Sequence, residues 1–507
     1  MILNFDNEKI KVCEKELLDF CNAHKRIFLY GAGVYGETYL KFLMEKNVSI
    51  EAFITTNSSG EKHGIPIIKI SDIMHTLNSE CGIILSVREG LQDEICRTVE
   101  FPCNILRHKE IEHRYIEAKA FLKEKYFENN VCHVPVKYVG EMLGNILVVQ
   151  LETTFGDMIW GTAFIRELRK NYPLAKITLV LNGQFASLYE NCPYVDELMF
   201  YDVDSLYDFI SEEMVDKARK YAAQNLRKSY DAVFLPRLLP LIGFDAWENI
   251  FLAVYSDAKY RFGHSLYMTE ENQCICNIIE NLFSAVIKHK SAQHEVLNDL
   301  EMLNLVDANI TDSKMELWIS SDDIEFALTH ICREKRKIVV GLVGSKQNRS
   351  WNPEKYGDVF NEILKKEKDI QIILCGGQDA AKAADIVQEI TNYKCLNMTG
   401  KTKLTQGAAI ISQADLYVGS DTGLMHMASA FGVPIIEISA SNKTAPDYWG
   451  CTPVRTGPWQ VKSIIIRPEH GLDDCKYMCN KSYAHCISQI TQEEVKEAVF
   501  QILNDSV

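Results

Sequence analysis

The sequence predicts an α/β protein built on parallel sheets, and two observations lead to this class. Short apolar runs alternate with helical segments, and this alternation recurs three times along the chain. Strands that alternate with helices are typical of βαβ units, whose strands run parallel. The length of 507 residues exceeds one ordinary core, so we expect about three domains.

Composition and charge narrow the class of protein. The chain is 47% hydrophobic and 24% charged, as expected of a folded protein in water. Its net charge of -15 argues against nucleic-acid binding, which normally needs a basic face. The N-terminus lacks the pattern of a signal peptide, and no run of about 18 apolar residues predicts a transmembrane helix. We therefore expect a cytoplasmic protein whose 16 cysteines are mostly free thiols.

The first unit is a small α/β domain, which we place at residues 1–130. Its strands are predicted at residues 25–30, 49–56, 81–87 and 103–107, with a helix at 37–47. The charged stretch 108–130 is interpreted as a connecting helix and linker.

This unit carries the motif GAGVYG, in which Gly31, Gly33 and Gly36 match G-x-G-x-x-G between a strand and a helix. That context makes the three glycines a candidate nucleotide site. The next strand, however, ends in Thr56 and Asn57 instead of the acidic residue that would bind ribose hydroxyls. The alternative is a Rossmann-like scaffold whose glycines only let the turn close.

A second α/β unit is predicted at residues 141–325. Its strands are expected at 145–152, 176–182, 196–202 and 230–236, and residues 245–315 are expected to be largely helical. Phe155-Gly156-Asp157 joins the first of these strands to a helix. Asp157 therefore lies at the carboxyl edge of a parallel sheet, where ligands bind in α/β proteins. The alternative is a structural aspartate that caps the helix.

A third α/β unit is predicted at residues 331–490, followed by a C-terminal helix at 491–507. Strands are expected at 337–344, 369–377, 394–400, 415–420 and 434–439, and Pro353 suits the first turn of the helix at 353–367. Thr491 and Glu494 have capping-box spacing at the start of the last helix.

Two polar turns of the third unit have the composition of an anion site. Residues 344–353, GSKQNRSWNP, offer Ser345, Lys346 and Arg349 between a strand and a helix, where backbone N–H groups and cations can bind a diphosphate. Residues 398–402, MTGKT, form a second such turn, which lacks the leading glycine of a P-loop. The alternative for each is an ordinary polar loop.

The stretch ADLYVGSDTGLMHMASAFGVPIIEIS, residues 414–439, is predicted to be strand, turn, helix and strand. Asp421 can cap the helix, which leaves the N–H groups of Thr422 and Gly423 free for a phosphate, and Gly423 would allow close approach of a ligand. His426 in the first turns could add a hydrogen bond to a phosphate or sugar. By itself it could equally be a satisfied core histidine.

Several of these segments together resemble a known family. Residues 414–436 are similar to the D-T-G-x-x-H-x-A-x-A-x-G-x-P signature of the ADP-heptose:lipopolysaccharide heptosyltransferases, glycosyltransferase family 9. FGDMIWGTAFIRELRKNYP with NCPYVDEL, then YRFG and NMTGKTKLTQGAAIISQADL, resemble further family elements in the same order. The resemblance covers about residues 144–505. It implies a GT-B fold, in which two Rossmann-like domains face a cleft, here preceded by a small Rossmann-like domain that the family usually lacks.

The resemblance also implies a reaction and roles for residues. It implies inverting, metal-independent transfer of a heptose from a nucleotide sugar, with Asp157 as the general base. Arg349 would neutralise the leaving diphosphate. Gln378 stands where the family often has a glutamate for the nucleoside, so the base of the donor stays open. The complete donor-binding set predicted is Ser345, Lys346, Arg349, Gln378, Thr399, Gly400, Lys401, Asp421, Thr422, Gly423 and His426.

Cys475, Cys479 and Cys486 cluster near the C-terminus, with His470 and His485 nearby. Their C-x3-C-x6-C spacing is not a standard zinc pattern, so we expect buried or paired thiols, with a structural metal as the alternative.

The sequence thus favours a cytoplasmic glycosyltransferase that needs no cofactor besides its nucleotide-sugar donor, ADP-heptose by the resemblance. The acceptor would be a lipopolysaccharide-core or other lipid-linked or surface-glycan sugar, reached by peripheral contact at the inner membrane face. Three alternatives stay open: another nucleotide-sugar donor or a protein acceptor, an NAD-dependent sugar-modifying enzyme working through GAGVYG, and a non-catalytic scaffold.

Overall fold

The computed structural model describes residues 8–87, 89–107, 136–203, 212–226, 229–237, 246–265, 282–288, 291–448, 450–473 and 475–504. Three six-stranded sheets, one in each predicted α/β unit, form the framework of these parts. The expected linker at 108–130 lies outside the described residues. The exact domain boundaries stay a prediction.

The first sheet has the strand order β3-β4-β2-β1-β5-β6, parallel except for the antiparallel pair β3 and β4. Its inner strands are mostly apolar and buried, as expected where helices cover a parallel sheet. The strands are β1 Arg26–Tyr30, β2 Ala52–Thr55, β3 Gly60–Lys62, β4 Ile65–Lys69, β5 Cys81–Leu85 and β6 Asn104–Arg107. The helices are α1 Glu8–Asn22, α2 Val34–Glu45, α3 Ile70–Ile73 and α4 Glu89–Thr98, with a 3₁₀ turn at Met74–Thr76.

The second sheet is entirely parallel, with the order β12-β11-β10-β7-β8-β9. Helix α5 (Phe155–Asn171) is buried from Met158 to Leu168 because it packs against α8 (Glu295–Glu301) and against α13 (Gly423–Ala430) of the third unit. The strands are β7 Asn145–Gln150, β8 Lys176–Asn182, β9 Glu197–Tyr201, β10 Ala232–Phe234, β11 Tyr260–His264 and β12 Ala285–Ile287. The helices are α5 Phe155–Asn171, α6 Glu212–Asn225, α7 Ala246–Tyr255 and α8 Glu295–Glu301, with 3₁₀ turns at Gly183–Leu188 and Met302–Val306.

The third sheet is also parallel, with the order β15-β14-β13-β16-β17-β18. Its strands are β13 Arg336–Gly341, β14 Ile370–Cys375, β15 Leu396–Asn397, β16 Leu416–Gly419, β17 Ile435–Ile438 and β18 Ser463–Ile466. The helices are α9 Ser321–His330, α10 Pro353–Lys366, α11 Ala381–Ile390, α12 Leu404–Ser412, α13 Gly423–Ala430, α14 Pro453–Thr456 and α15 Gln492–Asn504. Short 3₁₀ turns lie at Gln347–Arg349, Gln378–Ala380 and Cys486–Gln489.

The second and third sheets both have the doubly wound order 3-2-1-4-5-6 when each is numbered from its own first strand. In such sheets ligands bind at the carboxyl ends of the strands, where the order reverses. These points lie between β7 and β10 in one sheet and between β13 and β16 in the other. One continuous buried apolar cluster includes residues of both units, so the two halves share a core.

Most predicted elements are confirmed. Strand β8 has the predicted bounds, Pro353 is the first residue of α10, and Thr491 and Glu494 form reciprocal hydrogen bonds of 3.3 and 2.8 Å between side chain and backbone. Helix α1 and the β3–β4 hairpin were not predicted.

The expectation that residues 245–315 are largely helical is wrong in part. Strands β11 and β12 lie in this region, and both belong to the second sheet. Every residue of β11 is buried, including Arg261 and His264, whose side chains donate to backbone carbonyls at 2.7 and 2.8 Å. Polar residues in a short run normally indicate exposed positions, so the pattern does not predict this buried strand. Helices α7 and α8 and the 3₁₀ turn at Met302–Val306 agree with the prediction, whereas residues 307–315 are irregular. Residues 266–281 lie outside the described part.

Among the described residues, no helix is both long and apolar enough to cross a membrane.

Candidate active site

A cleft of about 600 Å³ lies between the second and third units, at the reversal points of both sheets. This volume is in the range of small-molecule sites, ~300–1,000 Å³. Its walls come from the turns after β7, β10, β13, β14, β15 and β16, together with α14. Among the predicted site residues, those that line the cleft are Asp157, Ser345, Arg349, Asp421, Thr422, Gly423 and His426.

Asp157 lies in the first turn of α5, and the alternative that it caps this helix is wrong. Thr154 is the N-cap: its hydroxyl accepts from the backbone N–H of Asp157 at 3.4 Å. The carboxylate of Asp157 is therefore not used by the helix end. With 22% of its side chain exposed, it faces the cleft.

Arg237 is the main site residue that sequence reasoning missed. It lies in the turn after β10 and is buried, with its Nη2 3.7 Å from Oδ1 of Asp157. Glu152 and Glu295 lie within 3.8 Å of the same guanidinium, which also stacks 4.2 Å above the ring of Trp160. Burial opposes the charge, but these three carboxylates raise the pKa of Arg237, so it stays protonated. Its place after a predicted strand at the carboxyl edge was the available signal.

Glu295 connects the two halves of the cleft. Its Oε1 accepts from Nε of Arg455 at 2.7 Å, so an ion pair joins α8 of the second unit to α14 of the third. Burial raises the pKa of Glu295, but Arg237 and Arg455 outweigh it and lower the pKa overall. In contrast, burial raises the pKa of Asp299 well above its usual range.

His426 is buried and bridges the halves. Its Nδ1 accepts from the indole N–H of Trp160 at 3.3 Å, and its Nε2 lies 3.3 Å from Oδ1 of Asp421. Both ring nitrogens thus have protein partners while the ring still borders the cleft. His426 is therefore both a hydrogen-bonded buried histidine and a residue that lines the cleft. Its contact with a ligand stays a prediction.

The close approach at Gly423 is made by another part of the protein, and approach of a ligand stays a prediction. A Cβ at Gly423 would lie 1.9 Å from the ring of Phe155, and a Cβ at Gly156 would lie 2.8 Å from His426. The N-termini of α5 and α13 therefore touch at the base of the cleft. Glycines at both positions make this contact between the halves possible.

The sequence suggested that Asp421 caps α13, and this prediction is wrong. Thr422 occupies the N-cap position, and its side chain makes no capping hydrogen bond. Asp421 instead accepts a hydrogen bond from the hydroxyl of Thr456 at 3.0 Å and pairs with His426. Beneath it, burial and the charge of Asp421 raise the pKa of Glu437 to about 8. Glu437 is therefore mostly protonated at neutral pH.

Arg349 lines the cleft and has no carboxylate partner in the described parts of the chain, a property that it shares with Lys403. Its Nη2 donates to Sγ of Cys451 at 3.0 Å, and its buried Nε has no partner there. Ser345 lies beside it in the lining, whereas Lys346 is exposed and outside the lining.

The remaining predicted donor residues surround the cleft without lining it. They belong to the turns after β14 and β15, where neighbours Asp379, Thr402 and Lys403 form the wall. Thr399 is buried against Asn397, and Lys401 donates to the carbonyl of Asn397 at 2.9 Å. Gln378 packs against Gly400, whose φ of +67° needs glycine.

The glycines of GAGVYG differ in what they do. Gly31 has a φ of +119°, and a Cβ on Gly36 would lie 2.0 Å from the carbonyl of Gly31, so both are needed for the turn. A Cβ on Gly33 would meet no atom within 4 Å among the described residues. Lys62 donates to the carbonyl of Ala32 at 3.0 Å and so covers the loop. Nucleotide binding here stays a prediction.

Cys475, Cys479 and Cys486 do come together, far from the predicted base, and His485 completes the group. His470 does not belong to it.

Two Rossmann-like units whose reversal points face one cleft define the GT-B architecture, which is typical of glycosyltransferases. Comparison with known proteins agrees with this class. Residues 280–484 match the family model of glycosyltransferase family 9 (heptosyltransferase). The lipopolysaccharide core heptosyltransferase OpsX of Haemophilus influenzae is 24% identical over 314 residues, which are 61% of this chain and 81% of that protein.

Solved structures share the fold. The glycosyltransferase family 9 protein of Veillonella parvula superimposes with a TM-score of 0.56 at 21% identity, over 71% of this chain and 98% of that one. The E. coli heptosyltransferase WaaC with ADP gives a TM-score of 0.52 at 16% identity, over 71% and 99%. The resemblance to family 9 and the GT-B fold inferred from the sequence are confirmed.

Proposed function

We propose that this chain transfers a heptose, or a closely related sugar, from ADP-heptose to a hydroxyl of a lipopolysaccharide-core or other surface-glycan acceptor. One observation carries the proposal. A single cleft places the carboxylate of Asp157 on one wall and the N-terminus of α13 with Arg349 on the other. The carboxylate can act as a base toward the acceptor hydroxyl, and the helix N-terminus with the arginine can bind the diphosphate of the donor.

The proposed step is one inverting displacement. Asp157 accepts the proton of the acceptor hydroxyl as its oxygen forms a bond to the anomeric carbon of the heptose. The bond from that carbon to the diphosphate breaks, and ADP leaves with the electron pair. Arg349 and the backbone N–H groups at the start of α13 stabilise the charge that develops on the diphosphate. The protein then supplies this stabilisation without a metal ion.

The paired cations have a different role in this scheme. Arg237 and Arg455 are each engaged with buried carboxylates, so they set the position of Asp157 and α14 around the donor. Arg349 has no such carboxylate among the described residues and donates to the thiol of Cys451, so we assign it to the diphosphate.

The donor assignment rests on relatives, since the E. coli heptosyltransferase WaaC was solved with ADP. The acceptor follows from OpsX, a lipopolysaccharide core heptosyltransferase. Because such an acceptor is lipid-linked, we propose a cytoplasmic enzyme that contacts the inner membrane face peripherally.

A thermal-shift screen tests the function. The full chain is heated with ADP, UDP, GDP, their sugars, ADP-heptose and NADH. ADP-heptose should raise the melting temperature most, followed by ADP. A shift with only a uridine or guanosine sugar would overturn the donor, and no shift with any nucleotide sugar would favour a scaffold. A shift with NADH alone, lost in Gly33→Val, would favour the redox alternative.

A further inference from the structure

A cluster of cysteine and histidine side chains lies in residues 471–473 and 475–490, beside α10 and outside the lining of the cleft. We call this segment the knuckle. It holds Cys475, Cys479, His485 and Cys486, whose ligand-type atoms all lie within 4.8 Å of one another. The three thiols are buried, with exposures of 7%, 8% and 1%. The side chain of His485 is 13% exposed.

The distances within this group fit a tetrahedron around one ion. Nδ1 of His485 lies 3.7 Å from Sγ of Cys475, 3.7 Å from Sγ of Cys479 and 3.5 Å from Sγ of Cys486. Metal–sulfur bonds of ~2.3 Å and a metal–nitrogen bond of ~2.0 Å at tetrahedral angles place each nitrogen and sulfur about 3.5 Å apart. One ring nitrogen cannot form hydrogen bonds with three thiols at once, but it can share an ion with them.

The tautomer of His485 also suits a ligand. Its Nε2 lies 3.0 Å from Oδ2 of Asp473, and a carboxylate only accepts, so Nε2 carries the proton. The neutral ring then directs the lone pair of Nδ1 toward the three sulfurs. A carboxylate behind a ligating histidine is the usual outer partner in metal sites.

The sulfurs have outer partners as well. The backbone N–H of Leu472 donates to Sγ of Cys486 at 3.4 Å, and such N–H donors favour a thiolate. Gly471 makes the turn possible, since a Cβ there would lie 2.1 Å from the carbonyl of Cys475.

We propose that Cys475, Cys479, His485 and Cys486 bind one structural metal ion in a closed tetrahedral site, zinc by its ligand chemistry. Three thiolates and one imidazole are a ligand set of structural zinc sites, and all four positions are protein ligands. No open position remains for substrate, so the ion takes no part in the transfer. The spacing C-x3-C-x5-H-C differs from familiar zinc patterns because adjacent residues His485 and Cys486 both reach the ion.

The site supports the donor side of the cleft. The side chain of Asn348 donates to the carbonyl of Cys479 at 2.8 Å, and Asn348 precedes Arg349 in the loop that lines the cleft. The indole of Trp351 in the same loop donates to the carbonyl of Ile490 at 3.1 Å. An ordered knuckle therefore holds the loop that carries Arg349.

Elemental analysis tests the site directly. The untagged full chain, purified without added metal, should contain about one zinc per chain by mass spectrometry. The double variant Cys475→Ser/Cys479→Ser should lose it, and Cys332→Ser, which changes a partly exposed thiol elsewhere, should keep it. Iron at the same stoichiometry would support the site but replace zinc as its ion. Metal-free wild type that also fails to bind added zinc would overturn the proposal.

Cobalt gives a second measurement that does not depend on a variant folding. Co²⁺ added to chelator-treated wild type should show the visible absorption of a tetrahedral ion with thiolate ligands, and equimolar Zn²⁺ should abolish it. Absorption typical of six oxygen ligands would contradict the assignment.

The effect on the donor loop rests on the proposed function. Asn348→Ala should keep the zinc and weaken ADP binding about fivefold, the equivalent of one hydrogen bond of about 1 kcal/mol. Unchanged ADP affinity with zinc retained would overturn the link to the loop. If wild type bound no ADP while zinc remained, the proposed function would fail and the metal site would stand.

Discussion

The arginines of the cleft differ in their partners. Arg237 and Arg455 are paired with buried carboxylates, whereas Arg349 donates to a thiol. Asp157 stands at the junction, since it faces both Arg237 and the cleft. The proposed chemistry therefore depends on two residues that can be tested separately.

Asp157→Asn should lower the transfer rate by about 10²- to 10⁴-fold, because the amide cannot accept the proton of the acceptor. Donor binding should remain, since Asp157 is proposed to act on the acceptor. Turnover with ADP-heptose and calorimetric ADP affinity check the two parts. Asp385→Asn, an exposed carboxylate outside the lining, is the matched control. Equal turnover in Asp157→Asn and Asp385→Asn would show that Asp157 is not the base.

Arg349→Ala should weaken ADP binding by about ten- to a hundredfold, since a hydrogen bond to a charged group contributes about 1.5–3 kcal/mol. Lys346→Ala removes a cation from the same loop but outside the lining, and its effect should be small. Titration calorimetry with ADP compares the two. A larger loss in Lys346→Ala would contradict this placement of the diphosphate.

Helices α5 and α13 form a close contact between the second and third units. Their first turns touch through Gly156 and Gly423, and Phe155 fills the space in front of Gly423. Strand β17 lies beneath α13 and carries the buried Glu437. Both features affect stability through packing and charge, independently of any ligand.

Gly423→Ala should destabilise the protein by about 1–3 kcal/mol, because its methyl group overlaps the ring of Phe155. The melting temperature should fall and turnover with it. The double variant Phe155→Ala/Gly423→Ala removes the clash and should lose less stability than the two single changes added together. Strict additivity would argue against this contact.

Glu437 should make stability depend on pH. Its folded pKa of about 8 lies above the usual value near 4.5, so its contribution is complete below that value and is lost as pH rises toward 8. The wild-type melting temperature should therefore fall more between pH 5 and 8 than that of Glu437→Gln. Glu354→Gln, an exposed change, should follow the wild type. Parallel curves for wild type and Glu437→Gln would show that this carboxyl is not the cause.

The described parts of the molecule contain three six-stranded sheets, and the second and third units share both a core and a buried ion pair. Arg455 and Glu295 connect these units across about 160 residues of sequence. The knuckle at residues 471–490 adds a further tie between the end of the chain and the cleft loop.

Arg455→Met should destabilise the molecule by about 3–5 kcal/mol, because it leaves the buried Glu295 with less compensation. Replacing both partners in Arg455→Met/Glu295→Leu should recover part of this loss. Arg336→Met, which breaks an exposed pair with Glu367, should cost less than about 1 kcal/mol. Thermal unfolding of the set measures the difference. Equal losses for Arg455→Met and Arg336→Met would refute the role of the buried pair.

The sequence by itself determined the three alternations of strand and helix, the turns after the strands and the cap at Thr491. These depend on residues a few positions apart, whose periodicity and turn chemistry are local. Its motifs also placed Asp157, Arg349 and Asp421 at carboxyl edges, where the fold brings them into one cleft. Strand β11 was not predicted because it buries Arg261 and His264 through hydrogen bonds to distant carbonyls, which a local pattern does not show.

Only the tertiary structure decided which distant residues meet. Arg237 faces Asp157, Glu295 meets Arg455, Phe155 fills the space at Gly423, and His485 joins three cysteines. The structure also shows that Thr154 and Thr422, rather than Asp157 and Asp421, occupy the N-cap positions of α5 and α13. Such contacts depend on the path of the chain between the residues and on the packing of both units, which no short pattern of residues specifies.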